Sequence, residues 1–221
     1  MNKELTEFWG SYLNPLMLSG EVEKLLLPQT ALFLKSIGLP SGSFIHETRR
    51  AYLGKVLPQE LKWIQITDNL IKQSRPFFEL AESASEVVVV EGNSYIPIGH
   101  QGQSKVVIRT ESDNLYLLHG ERPSIYPPSF SFHPIQFLNS TIEALLQFLM
   151  IVIQYEARSI EPQQRYSAAI EDKSDSSVIN VIRADIYRNI ADIEKQFEVV
   201  DKDALSDGWW RVYLQELYAY V

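Results

Sequence analysis

The strongest hydrophobic pattern in the chain predicts a long, buried helix. From Ile142 to Ile153 nearly every residue is apolar, and we assign the helix to Phe137–Glu156. Ser140 is its predicted N-cap, and Glu143 completes a capping box. A helix with almost no polar face is buried on most sides. The apolar run is also too short for a membrane span, which needs about 20 residues.

Two more helices are well defined by their patterns. One begins at Pro28, which suits a first turn, and ends at Gly38, which suits the left-handed position after a helix. In the other, apolar residues recur every three or four positions and form one stripe: Val178, Ile182, Ile186, Ile190, Ile193 and Phe197. Charges of both signs fill the gaps, which favours packing on a core over binding to a membrane surface.

Short helices are predicted at both ends of the chain. The first covers Glu4–Leu13 and stops at Asn14-Pro15. The last begins at Ser206, and we expect it to turn three of its apolar residues towards the core: Trp209, Val212 and Leu217.

The middle of the chain has a β pattern. In chain order the predicted strands are Leu61–Ile66, Glu86–Glu91, Tyr95–Ile98, Lys105–Arg109, Leu115–Leu118 and Ser129–His133. Gly92-Asn93 is a predicted tight turn, Pro97 indicates an edge or a bulge, and residues 99–103 are a predicted loop. The elements together predict an α+β fold, with an antiparallel or mixed meander packed against helices and additional helices at the C-terminus.

The polar stretch Ser159–Ser177 interrupts this pattern, and we interpret it as a surface loop or linker. The chain is then one domain over residues 1–221. Its core covers about 25–158, its linker about 159–177, and its C-terminal helical part 178–221.

Composition and charge narrow the classes of function. The 221 residues include no cysteine, which excludes disulfides and thiolate metal sites. The N-terminus has no apolar signal segment, so we expect a cytoplasmic protein. A net charge of −8 repels nucleic acid and anionic membranes and attracts basic partners.

The chain shows no catalytic motif. Its histidines, at positions 46, 100, 119 and 133, lie in separate segments without the spacing of a metal site, and phosphate-binding loops and a nucleophile elbow are absent. We therefore predict no catalytic, cofactor-binding or metal-binding residues, and a protein that binds rather than catalyses. An enzyme would require His100, His119 or His133 to converge with a carboxylate in a deep pocket.

The order of these features resembles the SUKH superfamily, in particular its bacterial immunity proteins and a branch like the fourth family. Four segments carry the resemblance: Leu27–Pro40, Val87–Leu118, Phe137–Leu149 and Asp207–Leu214. The resemblance implies a SUKH-like α+β fold and a bacterial immunity protein. Such a protein binds a toxin, often a nuclease, and blocks it without catalysis.

The predicted partner is thus a basic protein toxin. We expect exposed acids in or near the β-turns to contact it: Glu91, Glu111, Asp113 and Glu121. An alternative is an intracellular regulatory or scaffold protein with the same fold, in which the helix Val178–Phe197 docks a partner. An enzyme acting on a small substrate is a third hypothesis. The sequence predicts neither the toxin's identity nor the oligomeric state.

Overall fold

The computed structural model describes residues 3–40, 78–120, 134–206 and 208–219. Its helices are α1 Lys3–Trp9, α2 Gly20–Leu25, α3 Pro28–Ser36, α4 Ile142–Glu171, α5 Ser176–Asp201 and α6 Trp209–Ala219. Its strands are β1 Leu13–Asn14, β2 Met17–Leu18, β3 Leu39–Pro40, β4 Phe78–Leu80, β5 Ser83–Ala84, β6 Val88–Val90, β7 Asn93–Gln101, β8 Ser104–Arg109, β9 Leu115–Leu118 and β10 Ile135–Asn139. The predicted strands Leu61–Ile66 and Ser129–His133 lie outside the described residues.

The main sheet is antiparallel and has the order β10-β9-β8-β7, with β4 and β6 both pairing with β7. β6 pairs with the start of β7, and β4 pairs with its end. Between β4 and β6 the chain leaves the sheet, and β5 pairs in parallel with β2. The predicted α+β fold with an antiparallel meander and C-terminal helices is confirmed.

The meander's turns differ slightly from the prediction. The tight turn consists of Glu91-Gly92 rather than Gly92-Asn93, because Val90 and Asn93 are already paired. β7 continues to Gln101, so that the first three residues of the predicted loop 99–103 are strand. A register shift between Pro97 and Gly99 is the bulge that the proline indicated.

One face of the sheet packs on the helices. Its buried residues include Ile96, Ile98, Val106 and Ile108, and they share one apolar cluster with α1, α4, α5 and α6. Within the cluster the rings of Phe148 in α4 and Phe197 in α5 stack at 4.0 Å. The first half of α4 is almost wholly buried, as its apolar pattern predicts. None of the described helices is both long and apolar enough to cross a membrane.

The start of α4 corrects the predicted helix. Phe137–Asn139 belong to β10 and pair with β9, so the helix begins only at Ile142. Its N-cap is Thr141 rather than Ser140, since the Thr141 hydroxyl accepts a hydrogen bond of 3.1 Å from the Ala144 amide. The predicted N-cap is therefore wrong by one residue, and the predicted capping box is wrong because Ala144, three residues after Thr141, has no side chain that could complete it.

The predicted loop over residues 159–177 is wrong for most of its length, because α4 continues through Pro162 to Glu171. The antiparallel helix α5 supports this half of α4. Arg158 forms an ion pair of 2.9 Å with Asp192, and Arg183 donates a hydrogen bond of 2.8 Å to the Tyr166 hydroxyl. The polar sequence is thus a solvent-facing helix, and only the short turn before Ser176 connects α4 to α5.

The two C-terminal helices largely follow their patterns. In α5, the stripe from Ile182 to Phe197 is buried, whereas Val178 is 48% exposed at the helix start. In α6, the prediction holds for Trp209 and Leu217, which are partly buried against the core. It is wrong for Val212, which is 47% exposed, because α6 turns Trp210, Tyr213 and Leu214 inward instead.

A buried carboxylate joins the sheet to these helices. Asp201, at the end of α5, is 7% exposed and accepts hydrogen bonds from the β10–α4 junction. The donors are the Asn139 amide group at 3.2 Å, the Ser140 backbone N–H at 2.7 Å and the Ser140 hydroxyl at 2.9 Å. The Asn139 oxygen in turn accepts from the Trp210 indole at 3.0 Å. We call these four residues the Asp201 network.

We expect Asp201→Ala to lower the free energy of unfolding by about 2–4 kcal/mol, because it leaves the buried amide group of Asn139 and the half-buried donors of Ser140 without an acceptor. Urea denaturation measures this. Asp203→Ala is the matched control, since Asp203 is exposed two residues away and should change stability by about 0.5 kcal/mol or less. An Asp201→Ala midpoint equal to that of the control would show that the network is dispensable.

Candidate partner-binding surface

Two β-turns lie side by side at one end of the sheet. Tyr95 in β7 is paired with Arg109 in β8, and the Thr110 amide donates a hydrogen bond of 3.0 Å to the Ser94 carbonyl. The turn between β6 and β7 therefore adjoins the turn between β8 and β9. The structure thus brings Glu91, from the first turn, and two further predicted contact residues from the second into one region. We call Glu91 and Glu111 the acidic turn pair.

Glu91 has an unusual backbone conformation. It is exposed and has a φ of 51°, in the left-handed region, and Gly92 follows with a φ of 78°. Two positive φ angles in a two-residue loop are typical of a type I′ turn, which favours Asn-Gly. For a residue with a Cβ, the left-handed conformation costs roughly 1–2 kcal/mol. The sequence showed a turn here but not that a glutamate would occupy its strained position.

Glu111 is oriented by a neighbouring arginine. Its side chain is 75% exposed and lies 3.3 Å from the Arg109 guanidinium, which also donates to the Asn93 side chain at 2.7 Å. The nearby Tyr116 hydroxyl, and after it the Glu111 carboxylate, raise the pKa of Arg109. An ion pair as exposed as this one contributes little to stability. The Glu111 carboxylate therefore remains available to a partner.

Asp113 has a different environment. It is half-buried and accepts a hydrogen bond from the Thr30 hydroxyl of α3. This contact joins two elements 83 residues apart and ties the β8–β9 turn to the helical layer. Asp113 thus has a structural partner, which the sequence gave no local signal for. Glu121, the fourth predicted contact residue, lies outside the described residues.

The acidic surface continues along the sheet edge beyond these turns. The segment Phe78–Glu91 contains four glutamates and no lysine or arginine. Where it leaves the sheet it borders a groove of about 370 Å³, whose polar lining includes Glu79, Glu86 and His100. Glu86 forms an ion pair of 3.2 Å with Lys105. The absence of basic residues over this segment was the signal in the sequence that could have extended the predicted surface.

The groove does not have the character of an active site. The side chains of Glu79, Glu86 and His100 are all exposed, whereas acid–base catalysis relies on groups held in position away from bulk water. His119 is half-buried and contacts the Ser104 hydroxyl at 2.7 Å and Gln136 at 3.3 Å. The other two histidines lie outside the described residues. Within the described ranges, no cluster of side chains could hold a metal ion.

The sequence comparisons assign the chain to a family. Residues 2–216 match the family model described as SUKH-4 immunity protein. Because the match covers nearly the whole chain, the protein belongs to the SUKH-4 immunity protein family. No curated protein and no solved structure matches the chain significantly. The family assignment confirms the resemblance and indicates a role in toxin immunity.

The Asp113–Thr30 contact can be tested by a double-mutant cycle. We expect Asp113→Ala and Thr30→Val each to lower the free energy of unfolding by about 1 kcal/mol, since each removes one partner of a half-buried hydrogen bond. Together they should show a coupling energy of about 0.5–1.5 kcal/mol in urea denaturation. Strictly additive effects would mean that the two side chains do not interact in solution.

Proposed function

We propose that this protein binds a basic protein toxin in the cytoplasm and neutralises it without catalysis. Membership of the SUKH-4 immunity protein family supports the immunity role. Nucleases are the leading class of toxin, because enzymes that bind a phosphate backbone carry positive surfaces. The proposed contact surface is the acidic turn pair, Glu91 and Glu111, together with the glutamates along the adjoining sheet edge.

The observation that carries this proposal is the backbone of Glu91. An asparagine or glycine would occupy the left-handed position at lower cost, and a solvent-facing turn gives the fold no reason to prefer glutamate. Locally unfavourable residues concentrate at functional sites. The carboxylate at position 91 thus supports a contact outside this chain.

Electrostatics supports a basic partner. Residues 78–118 contain six acidic side chains and two basic ones, on a chain whose net charge is −8. Opposite potentials on two surfaces accelerate their encounter and disfavour wrong partners. Lys105 and Arg109 are the two basic residues, and both are paired with glutamates of this surface. The field that an approaching toxin meets is therefore negative.

The two alternative functions have less support. The scaffold hypothesis used the helix Val178–Phe197 for docking, but from Ile182 onward the apolar stripe of this helix is buried in the core. The enzyme hypothesis required a deep pocket with a histidine beside a carboxylate. The groove at His100 is open and its ionisable side chains are exposed.

We expect two substitutions of Glu91 to separate its functional role from its structural cost. Glu91→Asn removes the charge and suits the turn, so it should raise the free energy of unfolding by about 0.5–1 kcal/mol and weaken toxin binding about 5–30-fold. Glu91→Gln removes the charge but keeps the strain, so it should weaken binding without the gain in stability. The measurements are thermal unfolding and calorimetric titration with a basic toxin domain from the same cell.

Glu198→Gln is the matched control, because it removes one exposed carboxylate on α5 and should leave binding unchanged. Rescue of cell growth during co-expression with the toxin provides an independent readout. The proposal fails if the wild-type protein neither binds the toxin nor rescues growth. Glu91 is excluded as a contact residue if Glu91→Gln binds as tightly as Glu198→Gln, and the acidic turn pair is excluded if the double variant Glu91→Gln/Glu111→Gln does so as well.

A further inference from the structure

Strand β6 exposes one of its edges. It pairs with β7 through Val88↔Tyr95, Val89↔Ser94 and Val90↔Asn93, and no other described strand lies beside it. Val89 is 65% exposed, and Val87, just before the strand, is 38% exposed. The valines at this edge are therefore exposed as well as apolar.

The register shows which backbone groups face outward. In a hairpin closed by a two-residue loop, the pair next to the loop is hydrogen-bonded, and hydrogen-bonded pairs alternate along the ladder. Val90 and Val88 therefore use their N–H and C=O groups towards β7, whereas those of Val89 point away from it. The Ser94 carbonyl agrees with this pattern, since it accepts from Thr110 of the opposite neighbour at 3.0 Å.

An edge of this kind is a template for another strand. Proteins normally protect such edges with proline, lysine or a bulge, and Val87–Val90 contains none of the three. Its protection consists of acids instead. Glu82 and Glu86 precede the valines and Glu91 follows them. Neither Glu82 nor Glu91 forms an ion pair with another described residue.

The position of these acids determines which partner fits. Antiparallel pairing of two copies centred on Val89 would bring Glu86 of one copy close to Glu91 of the other, and like charges across strands are destabilising. A segment that carries lysine or arginine would instead bring positive charges close to the glutamates at both ends of the strand, which is favourable. The charges thus disfavour self-association and favour an extended basic segment from another protein.

We infer that an extended basic segment of the toxin adds to the sheet as a strand along the outer edge of β6. This inference rests on the proposed function and specifies how the toxin is held. The backbone of Val89 forms the central hydrogen bonds, its side chain and that of Val87 contact the added strand, and Glu86 and Glu91, which flank the valines, meet its basic residues.

Val89→Pro tests the inference directly, because it removes the outward N–H and no hydrogen bond of the β6–β7 ladder. We expect it to weaken binding of the same toxin domain at least about tenfold, the equivalent of one or two hydrogen bonds. Val89→Thr is the matched control, since it keeps the N–H and the β-branched shape. It should bind within about threefold of wild type.

Amide exchange by NMR gives a second readout that needs no variant. In the free protein the Val89 amide should exchange quickly and those of Val88 and Val90 slowly. Adding the toxin domain should slow exchange at Val89 at least about tenfold, because its N–H becomes hydrogen-bonded. This measurement also decides the matter if Val89→Pro does not fold.

The outcomes separate this inference from the proposed function. If Val89→Pro binds normally, or if the Val89 amide still exchanges quickly in the complex, strand addition is wrong, while weakened binding by Glu91→Gln still supports the proposed function. If the wild-type protein binds no toxin, both fail. If the toxin-free protein forms dimers that Val89→Pro abolishes, the edge serves self-association and the inference is overturned.

Discussion

The rest of the structure depends on the buried carboxylate of Asp201. A charge taken out of water is tolerated only where hydrogen bonds replace its hydration, and here Asn139 and Ser140 supply three of them. The donors lie at the junction of β10 and α4, and the acceptor lies at the end of α5. Trp210 connects α6 to the same network, because its indole donates a hydrogen bond to Asn139. Sheet and helices therefore cannot separate at this point without exposing several unpaired buried groups at once. Such an arrangement fixes one relative position of the layers, which apolar contacts alone specify less sharply.

The sequence predicted those elements whose signals are local. Pro28 and Gly38 mark a helix whose C-terminal glycine has a φ of 82°, and the isoleucine stripe of α5 is buried as its spacing requires. The predictions were wrong where a contact with a residue far along the chain determines the local structure. Phe137 was predicted to be helical because the residues after it are apolar, but it pairs with β9 and belongs to the sheet. Likewise, the polar half of α4 is helical because α5 lies beside it, and Ser140 turns from its expected capping role to Asp201, 61 residues away.

The candidate surface divides in the same way. The sequence alone indicates that acidic residues occupy turns. The structure adds that Glu91 and Glu111 lie in neighbouring turns of one meander. The sequence did not predict the environment of each carboxylate. Asp113 accepts from Thr30 through a contact that depends on how α3 meets the sheet, and the strain at Glu91 depends on which two residues form the turn. The groove beside Glu79 arises only because the chain leaves the sheet to pair β5 with β2.

Locally unfavourable features occur in both layers of this molecule, and two of them meet around β6. In the helical layer, Lys173 has a φ of 52° between α4 and α5, Pro162 lies inside α4, and Val199 is 88% exposed. Around β6, a glutamate takes a left-handed conformation and two valines face solvent on an edge strand. Neither feature improves the isolated fold, and an unprotected edge is a hazard for any protein. Acids at both ends of the valines reduce that hazard by repelling another copy while leaving the edge open to a basic chain. The same charges can thus protect the free protein and select its partner.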